Sequence, residues 1–424
     1  EAVAMADDLG EVGLPAKSHA TCTLGICEAY GGDLSQAVQL LEESRALSEQ
    51  LRRLDQVFRS LANITTTYEL QWRQGDAIRT ATEGIDRANR EGLETVYGNQ
   101  LRGNVASSLI LVGRWDDARE MSQRGLEWSP AGPAFVDPAI SLAAVEVESK
   151  ADEHSANLLG RLLLELEILP DPQYVVPASR VVASFALWRG DVGDARGAAE
   201  RGWSLLDASE DWIAISRMAG TLLEVLAAQV ADAKERRDLA AVAEARTRAA
   251  VVLDVAERAV QSADVSREMG SRRDADSWLN NARAHRKRLN GDVEPDDWKE
   301  AAEAWAAIGD PYQEARARWR QAEALLAYGD GRAGRSKASG PLREAYRAAT
   351  KLGAGPLIRE LETLAGRALI KLPLAASNAP RREKIYVQGS TTAAAITSAF
   401  APPPGEPRSD AFGLSPRERE VLRL

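Results

Sequence analysis

The sequence predicts an all-α protein in which helical hairpins repeat along the chain. Three observations predict this fold class. Long segments are rich in Ala, Leu, Arg and Glu and poor in aromatic residues, which favours helices over strands. Apolar residues recur at spacings of three and four, as on the buried face of a helix. One short turn motif returns at similar intervals, which is typical of repeat architectures.

The turn motif combines a bulky, a small and a polar residue, with an Ala a few positions later. Its small residues are separated by 43, 38 and 77 positions, so the period is about 38 residues, and Ala151-Asp152 stands where a copy is missing. We expect the small residue to end one helix in a left-handed conformation and the Asp to cap the next helix. The small residues are Gly32, Gly75, Gly113 and Gly190.

The clearest hairpin is predicted between residues 54 and 90. One helix runs from Leu54 to Trp72 and its partner from Ala77 to about Arg90. A single hairpin cannot cover its own apolar stripe, so neighbouring hairpins are expected to stack into a superhelix. This arrangement is similar to a tetratricopeptide repeat array. Residues 1–372 are therefore predicted to form a helical-repeat region for sensing or interaction.

Two regions depart from the repeat. The segment from Ala219 to Val260 is predicted as nearly continuous helix, with a break at Arg236-Arg237-Asp238. Two groups of prolines predict long connections between helices. These groups are Pro130, Pro133 and Pro138, and Pro170, Pro172 and Pro177.

Charge and cysteine content restrict the function classes. The net charge of −10 repels a phosphate backbone, so any DNA contact must be local. Two cysteines, no signal peptide and no uninterrupted apolar run of about 20 residues predict a cytoplasmic protein that does not contact a membrane.

No catalytic, cofactor or metal site is predicted. The segment from Gly329 to Ser336 has the spacing of a phosphate-binding loop, but Arg335 stands where such a loop needs Lys. It also follows a helix instead of a strand, so we expect a connecting loop. Cys22 and Cys27 are about 140° apart around a helix and are not expected to bind a metal together with His19.

Two further groups of residues have structural interpretations. A basic stretch is interleaved with acidic residues and is expected to be a solvated helix face, although contact with DNA phosphate or an acidic partner is the alternative. Tryptophans at the repeat turns are expected to pack within their hairpins. The basic stretch comprises Arg267, Arg272, Arg273, Arg283, Arg286, Lys287 and Arg288, and the tryptophans are Trp72, Trp115 and Trp188.

The C-terminal part changes character. Residues 373–412 are rich in Pro, Ala and Ser and predict a flexible linker. Residues 413–424 then predict the start of a helix, because Ser415 is a good N-cap, Pro416 suits the first helical position and Glu418 has capping-box spacing. Val421 and Leu422 supply its apolar side.

The last segment resembles the first helix of the LuxR-type helix-turn-helix module, which opens with Leu, Ser or Thr, any residue, Arg-Glu, any residue and Glu-Val-Leu. In that family a later helix enters the major groove and reads the bases. Base-reading residues are therefore not expected within this chain, and the matching positions are expected to pack or to contact the DNA backbone. These positions are Leu414, Ser415, Arg417, Glu418, Arg419, Val421 and Leu422.

Residues 300–372 resemble the closing helices of the large ATP-binding LuxR-type regulators. Full-length members carry an ATPase domain before the repeats, whereas this chain has no strand-loop-helix unit for nucleotide binding. The resemblance implies a fragment of a bacterial transcriptional regulator in which a protein or small-molecule effector occupies the superhelix. Homo-oligomers would then present the DNA-binding modules to a two-fold operator. The alternative is a stand-alone helical-repeat adaptor that binds proteins and never DNA.

Overall fold

The computed structural model describes residues 1–31, 33–128, 131–207, 209–263, 270–292, 294–329 and 331–373. These residues form 18 α-helices and no strand, which confirms the predicted all-α class. The first nine are α1 Ala2–Asp8, α2 Leu14–Gly31, α3 Leu34–Gln50, α4 Leu54–Leu70, α5 Gln74–Arg90, α6 Asn99–Leu111, α7 Trp115–Leu126, α8 Pro133–Ser149 and α9 Glu153–Ile168. The others are α10 Pro172–Arg189, α11 Val192–Ser204, α12 Trp212–Glu235, α13 Leu239–Ser262, α14 Gly270–Asn290, α15 Pro295–Ile308, α16 Pro311–Tyr328, α17 Gly331–Leu352 and α18 Gly355–Ala368.

Consecutive helices pack against each other in opposite directions. Ser18 Oγ, near the start of α2, lies 2.5 Å from Ser48 Oγ, near the end of α3. Ser44 of α3 in turn lies 3.2 Å from Ser60 of α4 through their hydroxyl groups. Small side chains at these contacts bring the helix backbones close together, and their hydroxyl groups bond to each other in the core.

The turns between helices repeat one backbone conformation. Gly113 and Gly190 have φ of 75° and 79°, as predicted, and Ala151 adopts the same region with φ of 50°. The residue after each of them is the N-cap of the next helix. At the third turn the amide of Asp191 donates to the carbonyl of Ala186 at 2.9 Å, and its carboxylate accepts from the amide of Asp194 at 3.0 Å. One residue thus closes one helix and starts the next.

The prediction for Gly75 was wrong. Trp72 is the left-handed residue, with φ of 58°, and Gly75 lies inside α5. The amide of Arg73 donates to the carbonyl of Tyr68 at 2.8 Å and closes α4, so α5 begins at Gln74, three residues earlier than expected. Gly32 lies outside the described residues.

Two other loop predictions were also wrong. Pro133 and Pro172 begin α8 and α10, where proline is well suited to the first turn, and Pro138 and Pro177 lie inside these helices. The predicted connecting loop from Gly329 to Ser336 is largely helical, because α17 begins at Gly331. The predicted break near Arg237 is confirmed: this residue has φ of 57° and the next, Asp238, caps α13.

Helix α12 is long and apolar enough to cross a membrane by length and composition alone, although Arg217 and Glu224 interrupt its apolar run. Within the fold, however, 72% of its most apolar window is buried. Leu222, Leu223 and Leu226 of this helix belong to a core shared with α10, α11, α13 and α14. The apolar composition of α12 is therefore explained by its central position in the protein.

The C-terminal helices return to the N-terminal half of the series. Residues of α16, α17 and α18 share one apolar core with residues of α4 to α8. The ring of Trp115 lies edge-on to that of Tyr312 with centroids 5.0 Å apart. Arg316 of α16 also donates to Glu224 of α12, so the C-terminal helices contact the middle of the series as well.

Candidate functional site

A cavity of about 320 Å³ lies among α10, α12, α14, α16 and α18. Its lining combines charged side chains with two indole rings, which distinguishes it from the Ala- and Leu-rich cores around it. The lining residues are Ser184, Leu187, Trp188, Glu224, Ala228, Arg288, Arg316, Trp319, Arg320, Glu323 and Glu360.

Two ion pairs form part of the wall. Arg316 of α16 donates to Glu224 of α12, and both side chains are largely buried, with 16% and 13% of their surfaces exposed. Arg320, one turn later, donates to Glu323 at 2.7 Å. Burial alone would raise the pKa of Glu224, but the charge of Arg316, assisted by Arg320, lowers the pKa to about 2. Glu224 is therefore ionised at neutral pH.

Arg288 differs from the other two arginines of the cavity. It enters from α14 and, among the described residues, makes neither an ion pair nor a side-chain hydrogen bond, although it lines the same space. The nearby charge of Arg320 and, secondly, burial lower its pKa to about 10, against the weaker effects of Glu323 and Glu224. The positive charge of Arg288 thus lies where another positive charge and low solvation disfavour it.

The indole rings form the apolar part of the wall. Trp188 of α10 and Trp319 of α16 lie with centroids 6.2 Å apart and an interplanar angle of 27°. The indole nitrogen of Trp188 donates to Glu148 at 2.8 Å, and the hydroxyl of Ser184 donates to the same carboxylate at 2.6 Å. Tyr312 also donates to Glu148. Three donors hold this carboxylate, and these bonds fix one edge of the cavity.

A second group of buried polar residues lies on α10, α12, α14 and α16. Arg217 donates to Asp274 at 2.7 Å, and the guanidinium of Arg180 lies 4.5 Å from the ring centroid of Trp278. The carboxylate of Asp310 caps α16 by accepting from the amides of Tyr312 and Gln313. Burial is the main reason that the pKa of Asp310 rises to about 7.

The chemistry of the cavity is that of recognition by fixed charges. Its arginines cannot lose their protons near neutral pH, and Glu224 is held ionised by its partner. The neighbouring His285 is buried against Trp298, with ring centroids 4.9 Å apart, and burial lowers its pKa well below the usual value. His285 is therefore neutral at pH 7. The cavity can bind and orient a polar molecule.

Several sequence-predicted residues lie away from this cavity or outside the described part of the chain. The candidate DNA-binding positions from Leu414 to Leu422 and the linker from residue 374 onward are not among the described residues. Cys22 is buried and Cys27 is exposed. Their neighbour His19 lies 3.2 Å from the Gln56 side chain through Nδ1. In the described ranges no group of three or more His, Cys, Asp and Glu side chains is placed to hold a metal ion.

The sequence interpretation was wrong for two members of the basic stretch. Arg272 is buried and donates to the carbonyl of Val260 at 2.8 Å, and Arg288 lines the cavity, so neither belongs to a solvated helix face. The prediction that the three tryptophans pack within their hairpins was also wrong: Trp72 donates to the carbonyl of Ile308, Trp115 contacts Tyr312 and Trp188 contacts Trp319. The available signal was the placement of Arg316 and Arg320 one turn apart beside Trp319, in a helix otherwise rich in buried Ala.

No protein-family model and no curated protein matches this chain.

Proposed function

We propose that this chain is the effector-binding helical-repeat region of a LuxR-type transcriptional regulator. The observation that carries this proposal is the charged cavity among α10, α12, α14, α16 and α18, because its ion pairs and indoles form a recess suited to a specific small molecule. The resemblance of residues 413–424 to the LuxR-type module supports the regulatory part. In this proposal the protein acts in the bacterial cytoplasm and requires no catalysis of its own.

The proposed architecture is a tetratricopeptide-like superhelix with a period of about 38 residues. The repeated left-handed turn at Gly113, Ala151 and Gly190 supports this period. The distances between these turns are 38 and 39 positions. Helices α12 and α13, at 24 residues each, are longer than the individual helices before them and represent an insertion in the repeat.

The proposed mechanism couples the cavity to the C-terminal module. An occupant would contact α10 and α12 in the middle of the series and α16 and α18 near its end. A ligand that binds one arrangement of these helices more tightly shifts the population toward it. Because α18 leads into the linker of residues 373–412, such a shift would change how the DNA-binding modules are presented in a homo-oligomer.

A salt-dependent DNA-binding measurement tests the regulatory proposal. Binding to a pool of random duplexes is compared for this chain and for a longer chain that includes the encoded residues after Leu424. We expect the longer chain to bind with an affinity that falls steeply with salt, and this chain to bind weakly, since its net charge is −10. Absence of DNA binding by the longer chain would refute the regulatory proposal.

The second candidate function is a helical-repeat adaptor that binds another protein. Helix α9 favours it, because Leu164 and Ile168 lie one turn apart and are 63% and 81% exposed. Two adjacent exposed aliphatic side chains are a feature of contact surfaces. Under this alternative neither chain binds DNA, and Leu164→Ser with Ile168→Ser would abolish partner binding without changing the thermal stability.

A further inference from the structure

We infer that the cavity binds a small organic anion with a flat apolar body, whose anionic group pairs with Arg288. This inference builds on the proposed effector-binding function and specifies the chemical class of the effector. The anionic group is a carboxylate or a phosphate, because both offer the paired oxygens that a guanidinium recognises.

The charge balance of the cavity favours an anion at Arg288. Arg316 and Arg320 already have carboxylate partners on the wall, Glu224 and Glu323. Arg288 has no such partner among the described residues, while Glu360, the remaining acidic residue of the lining, is exposed at the edge. Water screens an exposed carboxylate, whereas a partly buried guanidinium gains most from a counter-ion.

The electrostatic environment of Arg288 agrees with this assignment. Arg320 is the largest cause of the lowered pKa of Arg288, which means that the two guanidinium groups repel each other. A bound anion would reduce this repulsion and would interact with both cations. A ligand cation would increase it.

The apolar part of the lining determines the rest of the ligand. Its members are Leu187, Trp188, Ala228 and Trp319. The two indoles are held in place, Trp188 by its bond to Glu148 and Trp319 by its buried position in the core. Rigid aromatic walls of this kind suit a flat apolar body.

Calorimetric titration of the purified chain with three matched probes tests the inference. The probes are naphthoate, naphthyl phosphate and naphthamide, which share a ring system and differ in the charge of the head group. We expect at least one anionic probe to bind about tenfold more tightly than the neutral amide, as loss of one charge-assisted interaction implies. The tighter of the two anions identifies the head group.

Variants of Arg288 localise the effect. Arg288→Gln should remove the preference for the anionic probe, and Arg288→Lys should keep part of it, since the charge remains but the planar fork is lost. Arg283→Gln is the matched control, because Arg283 lies on the same helix but points to Glu257 at 2.7 Å on the outer surface. Circular dichroism and thermal unfolding verify that each variant is folded.

Three results would overturn the inference: equal binding of the amide and the anions, absence of binding by all three probes, or an anion preference that survives in Arg288→Gln. These titrations contain no DNA. A failure here therefore refutes the ligand class alone, whereas failure of the duplex-binding experiment refutes the regulatory function alone.

Discussion

Arg316 and Glu224 form a largely buried ion pair between α16 and α12, although 92 positions separate them in the sequence. The pair joins the middle of the helical series to its C-terminal part at the wall of the cavity. A buried charge that loses its partner is costly, because neither water nor another ion compensates it. The pair therefore links the stability of the fold to the integrity of the cavity.

Arg316→Met should lower the free energy of unfolding by about 3 kcal/mol, because Glu224 remains buried and unpaired. The second change Glu224→Gln, added to the first, should restore much of this loss. Urea denaturation of the two variants and the parent chain measures both effects.

The control for this prediction is Arg258→Met. Arg258 pairs with Asp254 at 2.7 Å, but the two side chains are 68% and 66% exposed, so little stability should be lost. Similar losses in Arg258→Met and Arg316→Met would mean that the buried pair has no special role.

Asp310→Asn should stabilise the protein at high pH and have little effect near pH 4. Burial raises the pKa of Asp310 from 3.8 to about 7. The native carboxyl thus keeps its proton while the unfolded chain releases it, so native stability falls as the pH rises from about 4 to about 7. Asparagine accepts the same two amide hydrogen bonds and does not ionise. The gain above pH 7 should be roughly 4 kcal/mol by linkage.

The exposed N-cap Asp191 provides the control, since Asp191→Asn replaces a carboxylate with the same hydrogen-bonding role on α11. Between pH 4 and pH 8 the denaturation curves should diverge from those of the parent chain more for the buried Asp310→Asn than for the exposed Asp191→Asn. A gain that is equal at all three pH values would show that ionisation of Asp310 does not determine its effect.

The sequence was sufficient for the local structure because the relevant contacts are short-range. The stripe containing Val57, Leu61 and Ile64 determines the buried face of α4, and the left-handed turn at Gly190 is specified by that glycine and by Asp191. The turn motif did not reveal that Trp72, and not Gly75, is the left-handed residue. The position of this turn is set by the hydrogen bond from the amide of Arg73 to the carbonyl of Tyr68, which closes α4.

The pairings that build the cavity were not predictable, because the paired residues are remote in sequence. Arg316 meets Glu224 across 92 positions, and Tyr312 meets Glu148 across 164. No period or motif relates such residues. The composition of α14 is that of a solvent-exposed helix, and composition does not show which arginine faces the interior. Arg288 is the arginine of this helix that lines the cavity.

Cys27 should react quickly with an aromatic disulfide reagent, whereas Cys22 should react only when the protein unfolds. Cys22 is fully buried beside Leu41 and Ile64, and Cys27 is exposed on the same helix. Absorbance should report one fast thiol in the native protein and two in urea. Cys27→Ser should remove the fast phase, and fast labelling that persists in this variant would contradict the burial of Cys22.

Gly113→Ala should destabilise the protein more than Gly190→Ala. Both glycines are left-handed, with φ of 75° and 79°, so each alanine introduces strain of about 1–2 kcal/mol. A Cβ at Gly113 would also lie 2.7 Å from Pro311 and 2.8 Å from Leu352, whereas a Cβ at Gly190 would have no such neighbour within 4 Å. Overpacking should add about 1–3 kcal/mol at Gly113 alone.

Denaturation of both variants tests whether the C-terminal helices unfold together with the N-terminal half. The additional loss in Gly113→Ala arises only while Pro311 and Leu352 remain against the α6–α7 turn. This additional loss of stability should be smaller by more than about 0.5 kcal/mol when Leu352→Ala is also present. A coupling energy of at least that size is expected for residues in direct contact. Equal losses for the two alanines would mean that this contact is not maintained in solution. A larger loss at Gly113 would show that the helices enclosing the cavity are part of the cooperative fold, so that a ligand bound there stabilises the whole series.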